Sequence, residues 1–224
     1  MINVAHLTIP EAIAGTVAVA LLLVQLALLR SVVLAELITL YALQSLLVAL
    51  ISVAVGVIDH SWELIALGVL TFVAKTIALP LYMRRLSRSV STRVEIPKRI
   101  NVTLSLILAA GVMGVAILTA GALPLKTGEF FPQADLATTL SIVFVGFLVA
   151  ILRPNALAQV IAFLTLENGL YFGTVTLAPG LPFVVGVLLL LDVLIAVVVF
   201  AVLVRILVAE EATASVHVLQ QLNG

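Results

Sequence analysis

The sequence predicts an all-α, polytopic membrane protein of about seven transmembrane helices, organised as two parallel three-helix units plus a linking helix. Three observations carry that fold class. Of 224 residues, 63% are hydrophobic and 10% charged, whereas a soluble domain is nearer half apolar and a quarter charged. The apolar residues number about 141 (63% of 224), and a spanning helix takes roughly 20. They also fall into long runs divided by short clusters of charge, proline and glycine. The formal net charge of zero excludes nothing, because placement of charge governs a membrane chain more than its sum.

The first span is expected over 10–29, opened by Thr8-Ile9-Pro10-Glu11, with proline early in the helix and an acid facing the positive end of the dipole. Met1 to Pro10 holds no Lys or Arg and no small-residue cleavage site follows, so the span is expected to be retained rather than removed as a signal peptide. The second and third spans cover 32–57 and 63–83, with Trp62 and Tyr82 near opposite ends of the third, where interfacial aromatics belong. A basic stretch from Arg84 to Arg99 precedes the fourth span, 101–122; such loops set topology and touch anionic lipid, and this one has room to dock a soluble partner. The fifth, sixth and seventh spans cover 135–152, 156–178 and 183–207, and Pro179-Gly180-Leu181-Pro182 is a tight turn that makes the last two a helical hairpin. Gly169 and Gly173 on the sixth span form a small-residue pair that admits a neighbouring backbone. The tail after Glu210 carries Val216, Leu219 and Leu222 at helical spacing.

Charge placement orients the bundle. Arg30, Arg84, Arg85, Arg88, Arg93, Lys98, Arg99, Arg153 and Arg205 fall on one side and Lys126 on the other, while Glu11, Asp59, Glu63, Glu129 and Asp135 lie opposite the basic group. By the positive-inside rule the basic side is cytoplasmic, which places the N-terminus outside and the C-terminus inside.

A repeat is visible between Arg30–Gln44 (RSVVLAELITLYALQ) and Arg153–Glu167 (RPNALAQVIAFLTLE): a span ends in Arg, and a polar residue lies fourteen positions later inside the next helix. A third helix follows in each unit, with Lys75 in the first and Asp192 in the second. The expected organisation is 1–83, a first three-helix unit; 84–133, basic loop, linking helix and outer loop; 134–208, a second three-helix unit; and 209–224, a cytoplasmic tail. The second unit begins four spans after the first, so the duplication is parallel rather than inverted.

A charge in hydrocarbon costs at least about 2.5–3.5 kcal/mol, so an ionisable residue deep in a span is a functional candidate. Lys75, Glu167 and Asp192 qualify. Glu167 and Asp192 lie at near-equal separations on either side of Gly180, which puts both about 18–20 Å from that hairpin end. The same counting from Asp59–His60 levels Gln44 with Lys75, so four polar groups are expected at similar depth. Burial, a second carboxylate and a nearby ammonium together set where such a carboxyl titrates, and one poised near neutrality can load and unload protons. Asn168, Thr165 and Gln159 are candidates for holding waters beside it, although Asn168 points well round the helix. Plainer roles stand beside these: Glu167 and Asp192 as a hydrogen-bonded tie between helices, Lys75 snorkelling to the basic side or pairing with a partner chain, and Gln44 as helix glue. Glu36, six residues inside Arg30, reaches headgroup level or serves as a proton entrance.

With no cysteine the chain can form no disulfide and hold no cysteine-ligated cluster. His6, His60 and His217 fall in terminal or loop positions, so no span offers a haem-ligand pair or an intramembrane metal site. Nothing indicates phosphate binding, a Ser/His/Asp constellation or nucleic acid. No cofactor and no catalytic centre are expected in this chain.

The stretch RPNALAQVIAFLTLENG with LLLLDVLIAVVVF, from Arg153 to Arg205, resembles the small K subunit of respiratory complex I and its relatives in membrane-bound hydrogenases. Most of the chain is similar to the hydrogenase-4 component E family, through LENG (Leu166–Gly169) and the FxxKxxxxP pattern of TFVAKTIALPLYMRR. The resemblance implies a non-catalytic subunit of an energy-converting complex that couples hydrogenase or related redox chemistry to proton or ion translocation. Its implied partners are antiporter-like and other membrane subunits, hydrogenase or related redox subunits, and the lipid bilayer. It aligns Glu167 with the first membrane glutamate of those subunits and Asp192 with the second, where complex I has Glu; Gln44 stands where the first unit would carry its glutamate, and Lys75 replaces the other. A free-standing secondary transporter and a purely structural membrane adaptor are the alternatives. A parallel repeat and midplane charges suit a transporter too, but the helices lack paired glycine or proline breaks at mid-depth.

Overall fold

The computed structural model describes residues 9–87, 101–123, 133–177, 192 and 195–206. Every regular element among them is a helix: α1 (Ile9–Arg30), α2 (Leu34–Ile58), α3 (Trp62–Ser87), α4 (Val102–Ala122), α5 (Gln133–Leu152), α6 (Ala156–Leu177) and a shorter α7 (Ile195–Ile206). The first six are long and apolar enough to cross a membrane, and the chain is a multi-pass membrane protein. Their ends fall close to the expected spans, except that α3 continues through Arg84 and Arg85 to Ser87. The tight turn at 179–182, the rest of the basic loop, Lys126 and the tail lie outside the described residues.

Polar residues at the ends satisfy backbone groups that a helix leaves open. Ser61 accepts from the Leu64 N–H at the start of α3, Asn101 from the Leu104 N–H of α4 at 2.8 Å, and Asn155 from the Leu157 N–H of α6 at 2.9 Å. Between α2 and α3 the chain reverses within three residues: His60 takes a left-handed conformation (φ 52°), and the Ser61 N–H returns to the Gly56 carbonyl at 2.8 Å. That is the helix-ending turn in which glycine is usual and a polar residue tolerated.

Packing places α2 at the centre, against α1, α3 and α6, while α5 packs against α1, α4 and α6. The core divides by depth. Toward the basic end, marked by Arg30, Arg84, Arg153 and Arg205, one cluster joins Leu37, Ile38, Tyr41, Met83, Ile161 and Phe200. Toward the opposite end a second joins Leu21, Val48, Ile51, Leu64, Tyr171 and Phe172. Helix α4 is peripheral, contributing Ala109 to a third cluster with α1 and α5 and leaving Ile107, Val115 and Leu118 exposed.

Glycines admit close helix approach between α5 and α6 and between α2 and α3. A Cβ on Gly173 would stand 2.6 Å from Thr139 Cγ2 on α5, as the small-residue pair on this helix predicts. One on Gly68 of α3 would lie 3.0 Å from the Ala49 carbonyl oxygen and 2.6 Å from Val53 of α2.

Candidate functional site

Between the two core clusters lies a layer of polar side chains. Counting 1.5 Å per residue, Gln44 is about 15 Å into α2 from its basic end, Glu167 about 16 Å into α6, and Lys75 about 20 Å into α3 from the opposite end. The sequence expectation of a shared depth is matched by direct contacts.

The segment Phe72–Ala78 of α3 is π-helical, and the Leu79 N–H returns five residues to the Ala74 carbonyl. Pro80 explains the local form: it has no N–H, and its ring would clash with the carbonyl four residues back in a tight α turn, which a wider turn relieves. Lys75 sits at the centre of this segment, 1% exposed. Its Nζ lies 2.5 Å from Glu167 Oε1. The ammonium is therefore directed into the bundle and does not snorkel to the basic side. The Asp192 carboxyl stands beside that of Glu167. Glu167 Oε2 and Asp192 Oδ2 are buried without a further protein partner. Three helical segments far apart in sequence thus bring one ammonium and two carboxyls together.

Gln44 joins a separate amide network one step away. Its Nε2 donates to Gln25 Oε1 of α1 at 2.8 Å. Asn168 Nδ2 donates to Gln44 Oε1 at 3.3 Å and to Ser45 Oγ at 3.0 Å, and the buried Tyr41 hydroxyl lies near Ser45 without a hydrogen-bond partner. Asn168 therefore faces inward, against the expectation that it points well round the helix, because α2 packs against α6 on the Asn168 side while Lys75 of α3 reaches Glu167 on the adjacent arc. Thr165 and Gln159 do not join the cluster: the Thr165 hydroxyl donates to the Ala162 carbonyl within its own helix, and Gln159 Nε2 donates to the Arg153 carbonyl at 2.8 Å.

One turn from the ion pair, away from the basic end, are three hydroxyls. Tyr171 donates to Ser52 Oγ at 2.9 Å, Ser52 donates to the Leu64 carbonyl at 2.9 Å, and Thr71 lies beside the Tyr171 phenol. Glu36 stands apart, exposed in the first turn of α2, where its Oε2 accepts from Ser31 Oγ at 2.6 Å.

Arg153 departs most from its sequence reading. It was expected as a loop charge that sets topology; its side chain is 1% exposed. One guanidinium nitrogen donates to the carbonyls of Leu28 (3.2 Å), Leu29 (3.1 Å) and Ser31, capping the C-terminus of α1 with a cation where the helix dipole is negative. Sequence reasoning also passed over Gln25, Ser45, Ser52, Thr71 and Tyr171. Gln25 gave a signal, a lone amide in the run Leu21–Leu29; the hydroxyls gave none, since serine, threonine and tyrosine are common in spans.

The fold and this site define a polytopic α-helical membrane protein with an ion-paired carboxyl pair in the middle of its bundle. The chain is 30% identical over 166 residues to the uncharacterized protein Rv0085 of Mycobacterium tuberculosis (strain ATCC 25618 / H37Rv), which covers 73% of this chain and 74% of the other. It belongs to the family of that protein. No family model matches the chain, and no solved structure matches it.

Proposed function

We propose that the chain is a non-catalytic membrane subunit of an energy-converting, hydrogenase- or complex I-like assembly, in which Glu167 and Asp192 pass protons or ions at mid-membrane depth. The observation that supports this most directly is the Lys75–Glu167–Asp192 cluster: an ion pair at 2.5 Å with a second carboxyl beside the first. Ionisable groups are costly at this depth and are retained mostly where they act. Two carboxyls that share a proton beside an ammonium form a unit whose charge changes by one with little rearrangement. Lys75 holds the charge balance, and Gln44, through Asn168, fixes the face that α6 turns to α2. Glu36, on the basic face about 12 Å along α2 from Gln44, is the acid from which protons would enter. The partners in this reading are antiporter-like and redox subunits in a prokaryotic inner membrane, with the basic end cytoplasmic.

The test is the Glu167→Gln variant in the complex isolated in mild detergent and reconstituted in vesicles. The expected result is intact assembly with ion translocation reduced at least tenfold. Unchanged translocation removes the carboxyl role and leaves a membrane adaptor. A redox or antiporter-like chain among the co-purifying subunits supports the assembly, and transport by the isolated chain would indicate a free-standing transporter instead.

A further inference from the structure

Buried apolar residues cover the charged cluster toward both ends of the bundle, but the hydroxyls among them are arranged differently. On the basic side it is covered by Leu37, Ile38, Leu79, Met83, Ile161 and Phe200, all buried. The hydroxyl of Tyr41 in that layer is buried and has no hydrogen-bond partner. On the other side, hydroxyls follow the helices one turn at a time. Thr71 lies four residues before Lys75 on α3, and Tyr171 four residues after Glu167 on α6, so each stands on the same face as its charged neighbour, about one 5.4 Å turn away. Tyr171 touches Thr71 and donates to Ser52, which lies six residues, about 9 Å, from the end of α2. The Thr71 hydroxyl is 2% exposed and its oxygen lacks a well-formed hydrogen bond of its own. A buried hydroxyl in that state is costly, and here it points to an exchangeable proton position between the phenol and the ion pair.

We propose that Ser52, Tyr171 and Thr71 form a hydroxyl relay through which the Lys75–Glu167–Asp192 cluster exchanges protons with the end of the bundle opposite the basic loops. Each hydroxyl accepts a proton on a lone pair and releases its own, so a proton crosses the relay with no net change in any of the three. The remaining turn to the carboxyls is a gap that one bridging water spans. The inference rests on the proton-handling reading of the cluster and adds to it a route and a direction.

The test uses the full-length chain in vesicles of phosphatidylethanolamine and phosphatidylglycerol, with a pH jump applied to the face opposite the basic loops. The infrared carboxyl band lost in Glu167→Gln identifies Glu167, whose titration is shared with Lys75 from α3, Asp192 from the last span and Tyr41 from α2. In the unmodified chain this band follows the jump. In Thr71→Val, isosteric without the hydroxyl, and in Tyr171→Phe it follows at least tenfold more slowly. Thr71→Ser, which keeps the hydroxyl but loses a methyl group, responds at the unmodified rate and separates relay from packing. Unchanged rates in Thr71→Val and Tyr171→Phe overturn the relay while leaving Glu167 as a titrating group. A Glu167 band that never responds, even in the unmodified chain, overturns the proton-handling reading itself.

Discussion

A lysine and a glutamate brought to 2.5 Å in mid-bundle contribute little net stability, because the attraction between them is offset by the cost of taking both out of water. Breaking the pair is another matter, since it strands one charge. Lys75→Met or Glu167→Leu alone is expected to destabilise by about 3–5 kcal/mol, while the double variant recovers most of that loss. Unfolding titrations in mixed detergent measure all three. If the pair exists for ion handling, the double variant folds but does not translocate; a double variant that translocates normally assigns the pair to stability alone. The charged members of the cluster were legible in the sequence because a charge within an apolar run is conspicuous whatever the fold. The rotation of Asn168 was not, since polar and apolar residues are spread round α6 and its pattern names no inward side. Arg153 was misread for a related reason: sequence shows that an arginine borders a span but not that the end of α1 lies within reach of its guanidinium.

At the level of the helix, α3 carries the cluster's orientation. Its π segment adds a residue to one turn ahead of Pro80 and so decides which way Lys75 faces. Pro80→Ala supplies the missing N–H and removes the ring clash, allowing an unbroken α-helix over 62–87. The half of α3 before residue 80 then shifts register by one residue, a rotation of about 100°, and Lys75 leaves Glu167. The expected outcome is an assembled protein with translocation as impaired as in Lys75→Met, although alanine itself is the better helix former by about 3 kcal/mol. A structure of the variant that retains both the wide turn and the ion pair would show that Pro80 does not cause the π segment. The existence of this helix was plain from hydropathy, and Pro80 was visible in it. The wide turn was not, because proline also sits in kinked and in straight helices, and packing against α2 through Gly68 selects among them.

Across the whole molecule, the positions of the spans were the most legible feature, because hydrocarbon thickness fixes how long an apolar run must be. Relations between the spans were less so. In the structure α1 meets α5 and α2 meets α6, pairs that correspond in the proposed repeat. Arg153 fastens the end of α1 from the far unit, and Gln159 and Glu36, each six residues after its arginine, each bond back to the preceding loop. These contacts place corresponding helices face to face, and they put Arg30, Arg84, Arg85, Arg153 and Arg205 at one end of the bundle. The positive-inside rule then predicts that this end faces the cytoplasm. Since the chain has no cysteine, a single one introduced at Ser61, beside Asp59 and Glu63, or at Ser87, beside Arg84 and Arg85, reports one end unambiguously. In intact cells a membrane-impermeant maleimide is expected to label Ser61→Cys and to reach Ser87→Cys only after lysis. The reverse pattern would invert the bundle and with it the direction of the relay: the apolar layer would then face outward, and the hydroxyls of Ser52, Tyr171 and Thr71 would connect the carboxyls to the cytoplasm.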